Sequence, residues 1–176
     1  MMLRWLICFT CFWPALLLGG CATSLKMAEV RPGVGVGPVY LGMTMAQVRT
    51  TVGEPRVIKP TDDGLSYGYP SMGVTIFGEG EASKVQVITV GLGFENTVPA
   101  REFLGKTAEG LGIGTERGRV LATYGPPDES EGSPENRRHQ ERLVYDRRGI
   151  TFLLHSGRVV RMMVFPPEKP EAPVSK

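Results

Sequence analysis

The sequence predicts an α+β fold of two tandem units, each a helix packed on a short antiparallel β-meander. Three observations predict it. The body is written twice: aligning Gly42 with Gly114 pairs Leu41 with Ile113, Val48 with Val120, Thr51 with Thr123, Gly53 with Gly125 and Pro55 with Pro127. Both copies thus read Gly-x5-Val-x4-Gly-x-Pro, and internal repetition governs a fold assignment before local propensity does. Each copy also carries helix start and stop signals. Each is followed by three β-prone runs separated by turn residues, and a meander of that kind needs its helix to cover one face.

The elements follow in chain order. Arg4 precedes an apolar stretch from Trp5 to Leu18, and small residues close it before Cys21. Charged start, apolar middle and small-residue exit make residues 1–20 a secretory signal. The stretch is too short for a bilayer span, which needs ~20 apolar residues, and Pro14 interrupts it. The Leu18-Gly19-Gly20-Cys21 exit resembles the lipobox of bacterial lipoproteins. That resemblance implies a diacylglycerol on the Cys21 thiol, loss of the preceding peptide and acylation of the new amino terminus. Ala22 follows, with no Asp, which in Gram-negative lipoproteins implies sorting to the outer membrane.

Removing 20 of the 176 residues leaves 156, and the formal charge falls from +2 to +1 with Arg4. No strong field for nucleic acid is expected from so small a charge. Cys8 and Cys11 would leave with the signal and, by the lipobox resemblance, Cys21 would be lipidated, so no disulfide is expected in the body. Residues 21–36, with Gly33-Val34-Gly35-Val36-Gly37, read as a flexible tether. Residues 166–176 hold four prolines and no aromatic, and read as a disordered tail.

The first unit spans 37–96. Thr44 and Gln47 fit a capping box. Met45, Val48 and Val52 fall on one helical face, and Gly53 with Pro55 ends the helix. Strand runs follow at about 65–69, 73–77 and 85–92. The second unit spans 97–165. Its helix keeps Val120, Tyr124, Gly125 and Pro127, places Thr115 one step early and carries Gly118 inside, at a cost of up to ~1 kcal/mol. Its strand runs lie at about 142–146, 149–154 and 158–165. In this alignment Leu65-Ser66-Tyr67 matches Leu143-Val144-Tyr145, and Gly73 to Phe77 matches Gly149 to Leu153.

Leu41-Gly42-Met43-Thr44-Met45-Ala46-Gln47-Val48, ending in Gly53-Glu54-Pro55, resembles the signature of two related groups. One is the SmpA/OmlA-type lipoprotein of the outer-membrane β-barrel assembly machinery; the other is the secreted β-lactamase-inhibitor protein, itself a tandem. The resemblance implies helices packed on an antiparallel sheet. This chain differs from the inhibitor in lacking cysteines for disulfides, and from the assembly lipoprotein in having two units.

No catalytic set emerges. His139 falls in a polar stretch and His155 at a hairpin turn, and no Cys/His spacing suits a metal. Ser66, Ser71 and Ser83 lack a nucleophile-elbow context. Asp62-Asp63-Gly64 is explained by turn preference. The segment 128–142 is where the copies differ most. It begins acidic (Asp128, Glu129, Glu131, Glu135) and ends basic (Arg137, Arg138, Arg142), so it reads either as a self-compensating solvated loop or as a partner-facing one. Leu65, Tyr67 and Tyr69 share a strand face; with Tyr145, the tyrosines are core if that face meets the helix and interface anchors if it is open.

The expectation is therefore a lipid-anchored, non-catalytic envelope protein on the periplasmic face of the outer membrane. It acts as a scaffold or assembly accessory through Tyr67, Tyr69, Tyr145, Arg137, Arg138 and Arg142. Its partners are the membrane, through the Cys21 lipid, and an envelope protein; no cofactor, metal or nucleic acid is expected. The alternative is an inhibitor of an exported enzyme such as a β-lactamase.

Overall fold

A computed structural model describes residues 29–80, 82–91, 103–132 and 140–168. Cys21, the signal, the first part of the tether and the end of the tail lie outside the described residues. The chain opens with a three-stranded antiparallel sheet of β1 (Val30–Arg31), β2 (Gly35–Val36) and β3 (Val39–Tyr40). Helix α1 (Met45–Val52) follows, then a meander of β4 (Val57–Thr61), β5 (Gly64–Tyr69), β6 (Val74–Gly78) and β7 (Val87–Gly91). Helix α2 (Arg117–Tyr124) precedes β8 (Glu129–Gly132), β9 (Gln140–Tyr145), β10 (Ile150–His155) and β11 (Arg158–Val164).

These eight strands make one antiparallel sheet in the order β4-β5-β6-β7-β11-β10-β9-β8. The last strand of each meander therefore lies in the middle, joined by the pairs Ile88↔Val164, Thr89↔Met163, Val90↔Met162 and Gly91↔Arg161. Gly91 sits at this joint with φ +112, and a Cβ there would collide with the Val160 carbonyl and approach Ile113 to 2.9 Å. Only glycine tolerates both demands.

The α+β assignment of two helix-on-meander units is thereby corrected. Among the described residues the molecule is mostly β: one continuous eight-stranded sheet, a second three-stranded sheet, and two helices of eight residues each. The strands that sequence reading missed explain the error. β4 and β8 are the sheet edges and are largely exposed, so they carry no apolar alternation to reveal them. Residues 30–36, assigned to the tether, hold β1 and β2, because Val30, Val36 and, beyond them, Val39 are fully buried between the glycines.

One sheet face holds the core. Strand register sets Tyr67 opposite Ile76, Tyr69 opposite Val74, Ile76 opposite Ile88 and Val74 opposite Val90. Met162 and Val164 continue that face into Ile150 and Phe152, then Leu143 and Tyr145. Met45 and Val48 of α1, Val120 and Tyr124 of α2, the three valines of the small sheet, Phe103 and Leu111 belong to the same core cluster. The Thr44 capping box is formed: Gln47 N–H donates to the Thr44 hydroxyl at 3.3 Å, and Thr44 N–H donates to Gln47 Oε1 at 2.8 Å. Helix α2 starts at Glu116 with no side-chain cap, and Thr115 Oγ1 instead accepts from Gly112 N–H at 2.9 Å.

Both meanders share local detail. Gly42 N–H and Gly114 N–H donate to the carbonyls of Val85 and Val159, and the Val85 and Val159 N–H groups donate back to the carbonyls of Met43 and Thr115. Tyr69 and Tyr145 each precede a single 3₁₀ turn that closes on a left-handed glycine, Gly73 and Gly149. Tyr145 is thus the counterpart of Tyr69, and the pairing of Tyr145 with Tyr67 is corrected by two residues. A two-residue shift keeps every side chain on its face, so the apolar pattern alone could not detect it.

Candidate interaction surfaces

The expected anchors divide into three groups. Cys21, Arg137 and Arg138, with His139, lie outside the described residues. Tyr67, Tyr69 and Tyr145 are buried, at 0%, 3% and 3% exposure; they are core side chains, which corrects their reading as interface anchors. The helices and the small sheet close the face they occupy, so they cannot meet a partner. Arg142 is exposed and reaches Glu131 of the neighbouring edge strand at 3.3 Å. The 128–142 segment contains β8 and the start of β9 rather than reading as loop throughout.

Burial sets the tyrosine chemistry. The Tyr69 phenol is pushed up to about 12 chiefly by desolvation, with the nearby Arg49 guanidinium pulling the other way. Tyr145 donates to the Gly125 carbonyl at 3.0 Å, where that residue ends α2. Its ring meets Tyr124 edge-on at 5.4 Å, and Phe152 at 6.0 Å. Tyr124 donates to Glu109 Oε2 at 3.1 Å, and Arg148 lies 4.4 Å above its ring. Hydrogen bonding, first from Thr107, holds the Glu109 carboxyl below its ordinary range.

Sequence reasoning missed a half-buried ion pair. Glu141 is 3% exposed, and Arg117 Nε donates to its two oxygens at 2.9 and 2.8 Å. The pair ties α2 to β9. A signal was present: Glu141, Leu143 and Tyr145 alternate on one strand face, and a carboxylate on a core face needs a charged partner. Arg117, Glu141 and Arg148 all lie close to the Tyr145 phenol, whose ring packs against Tyr124 and Phe152. Among the described residues, no group of three His, Cys, Asp or Glu side chains could hold a metal ion.

The opposite face of the large sheet is built differently. Val57, Gly68, Thr75, Thr89, Met163, Thr151, Val144 and Glu129 pair in succession across all eight strands. Thr89, Thr151 and Val144 are buried, while Thr75, Phe77, Val87, Leu153 and Met163 are half-buried. Arg161 and Arg142 flank Leu153 in register, and desolvation lowers the Arg161 guanidinium from its ordinary value. The two edges differ in character: β4 carries Lys59 and Pro60, β8 carries Glu129 and Glu131. Charge and proline at edges discourage unwanted strand addition.

No family model and no curated protein matches the chain. Three crystal structures are similar to it. A DUF4309 family protein from Bacillus subtilis is 15% identical with TM-score 0.48, over 76% of this chain and 88% of that one. An extracellular protein containing a SCP domain from Bacillus anthracis is 13% identical with TM-score 0.44, over 94% of this chain and 57% of that one. A cysteine-rich secretory protein from Staphylococcus aureus is 14% identical with TM-score 0.45, over 82% and 48%. The chain spans about half the length of the latter two.

Proposed function

We propose that this chain is an exported, lipid-anchored envelope protein that works by protein–protein contact, as a scaffold or an accessory of outer-membrane assembly. The observation that carries the reading is the Leu18-Gly19-Gly20-Cys21 exit behind a charged, apolar leader. Anchoring requires more than one acyl chain, because each buried methylene contributes about 0.8 kcal/mol and a single chain holds weakly. The contact surface we assign is the face of the large sheet opposite the core, where Phe77, Leu153 and Met163 are half-buried and Arg142 stands at the rim. Apolar groups framed by arginine suit a protein partner. The duplicated motif fits this role, since two linked meanders present one wide sheet.

The test replaces Phe77 and Leu153, one at a time, with a photo-crosslinking amino acid in native membranes. An adduct with an outer-membrane β-barrel protein or a component of its assembly machinery is the expected result. No adduct at either position contradicts the surface. Potent inhibition of a β-lactamase by the purified protein would move the reading to the inhibitor alternative.

A further inference from the structure

The four large apolar side chains most exposed among the described residues are Val34, Tyr40, Ile58 and Leu104, at 46%, 42%, 48% and 79%. Three of them belong to one layer. Tyr40 pairs with Gly35, and Gly35 pairs with Arg31, so Tyr40 and Arg31 share the outward face of the small sheet. The Arg31 guanidinium lies 4.5 Å above the Tyr40 ring, an arrangement the intervening glycine permits. The segment 103–107 extends this sheet: Val30 N–H donates to the Lys106 carbonyl at 2.9 Å, and Glu29 bridges Lys106 in parallel. In that segment Phe103 and Thr107 are buried while Leu104 and Lys106 are exposed. Two-residue alternation therefore puts Leu104 and Lys106 on the same outward face as Glu29 and Arg31. Val34 stands at the β1–β2 turn, where its carbonyl accepts from Leu41 N–H at 2.9 Å.

We infer that this outward face of the small sheet is the surface that lies against the lipid headgroups. The inference rests on the proposed anchor at Cys21. Glu29, where the described body begins, is eight residues beyond Cys21. Eight residues reach at most ~3.3–3.6 Å each when fully extended, less than the width of a body whose radius of gyration is roughly 14 Å. The small sheet is therefore the end of the molecule held near the bilayer. Its chemistry suits that place: an amphipathic tyrosine ring belongs at the headgroup level, Lys106 attracts anionic lipid while Glu29 offsets Arg31 at 3.8 Å, and Leu104 offers apolar area to the acyl boundary. Ile58, the fourth exposed side chain, is on the edge strand of the other sheet and serves as the internal control.

The test uses the full chain, processed and lipidated by a bacterial host, in vesicles of phosphatidylethanolamine and phosphatidylglycerol. Leu104→Cys, Val34→Cys and Ile58→Cys each receive a bimane fluorophore, and lipids bearing a doxyl group serve as quencher. These positions are exposed, so labelling leaves the core intact. Quenching several-fold stronger at 104 and 34 than at 58 is the result expected. Vesicle-bound protein with equal quenching at all three positions, or stronger quenching at 58, overturns the face and leaves the anchor standing. Protein that fails to float with the vesicles overturns the anchor, and the face with it.

Discussion

Tyr69 and Tyr145 occupy the same turn in the two halves of the large sheet, and their hydroxyls differ. Tyr145 donates to Gly125 O, whereas the buried Tyr69 hydroxyl meets no hydrogen-bond partner among the described residues. A buried hydrogen bond contributes about 0.5–1.5 kcal/mol net, while removing an unsatisfied group recovers a desolvation cost. Urea denaturation should therefore show Tyr145→Phe destabilised by about 1 kcal/mol or more, since Gly125 O is left without its donor. Tyr69→Phe should be neutral or stabilised. Equal losses at both would contradict this account. The phenols also set an alkaline limit. Tyr69 and Tyr124 stand at about 12 in the fold against 10.0 in the unfolded chain, mainly through burial. The unfolded chain releases these protons first, so their contribution is fully present below pH 10.0 and falls as pH climbs toward 12. Tyr69→Phe should make that decline shallower.

The helices show which element signals a sequence states openly. Thr44 and Gln47 stand at capping-box spacing, and the box forms because both side chains can reach a backbone N–H that would otherwise be orphaned. Thr44→Ala should cost about 1 kcal/mol, within a range of 0.5–2, read as a lower urea midpoint at unchanged slope; no change would remove the cap from the account. At the second helix Thr115 stands one step early: its hydroxyl accepts from Gly112 N–H, and Glu116 takes the N-cap position without a side-chain cap. Strands separate the same way. β5, β6, β9, β10 and β11 bury one face and alternate visibly. β4 and β8 are edges, recognisable only once β5 and β9 are there to pair with them. The tyrosine anchors failed for a related reason: alternation shows that Tyr67 and Tyr69 share a face, but what covers that face lies elsewhere in the chain. For the surface now proposed, Phe77, Leu153 and Met163 were legible as strand residues, and their shared face was not.

At the scale of the whole molecule, the joint between β7 and β11 turns two meanders into one sheet. That joint could not be read from the repeat, because a sequence of two similar units is equally compatible with separate bodies. Gly91→Ala should weaken it by well over ~1 kcal/mol, since the new methyl meets both a positive φ and the Val160 carbonyl. The expected thermal transition stays single and shifts downward, because the sheet unfolds as one unit; two resolved transitions would show that the halves are independent. The functional account depends on a different covalent fact, the state of the sulfur at position 21. Intact-mass measurement of the protein from its own host should give a chain that begins at Cys21 and carries diacylglycerol and an amide-linked acyl group. A free Cys21 thiol, or a chain beginning elsewhere, would contradict it.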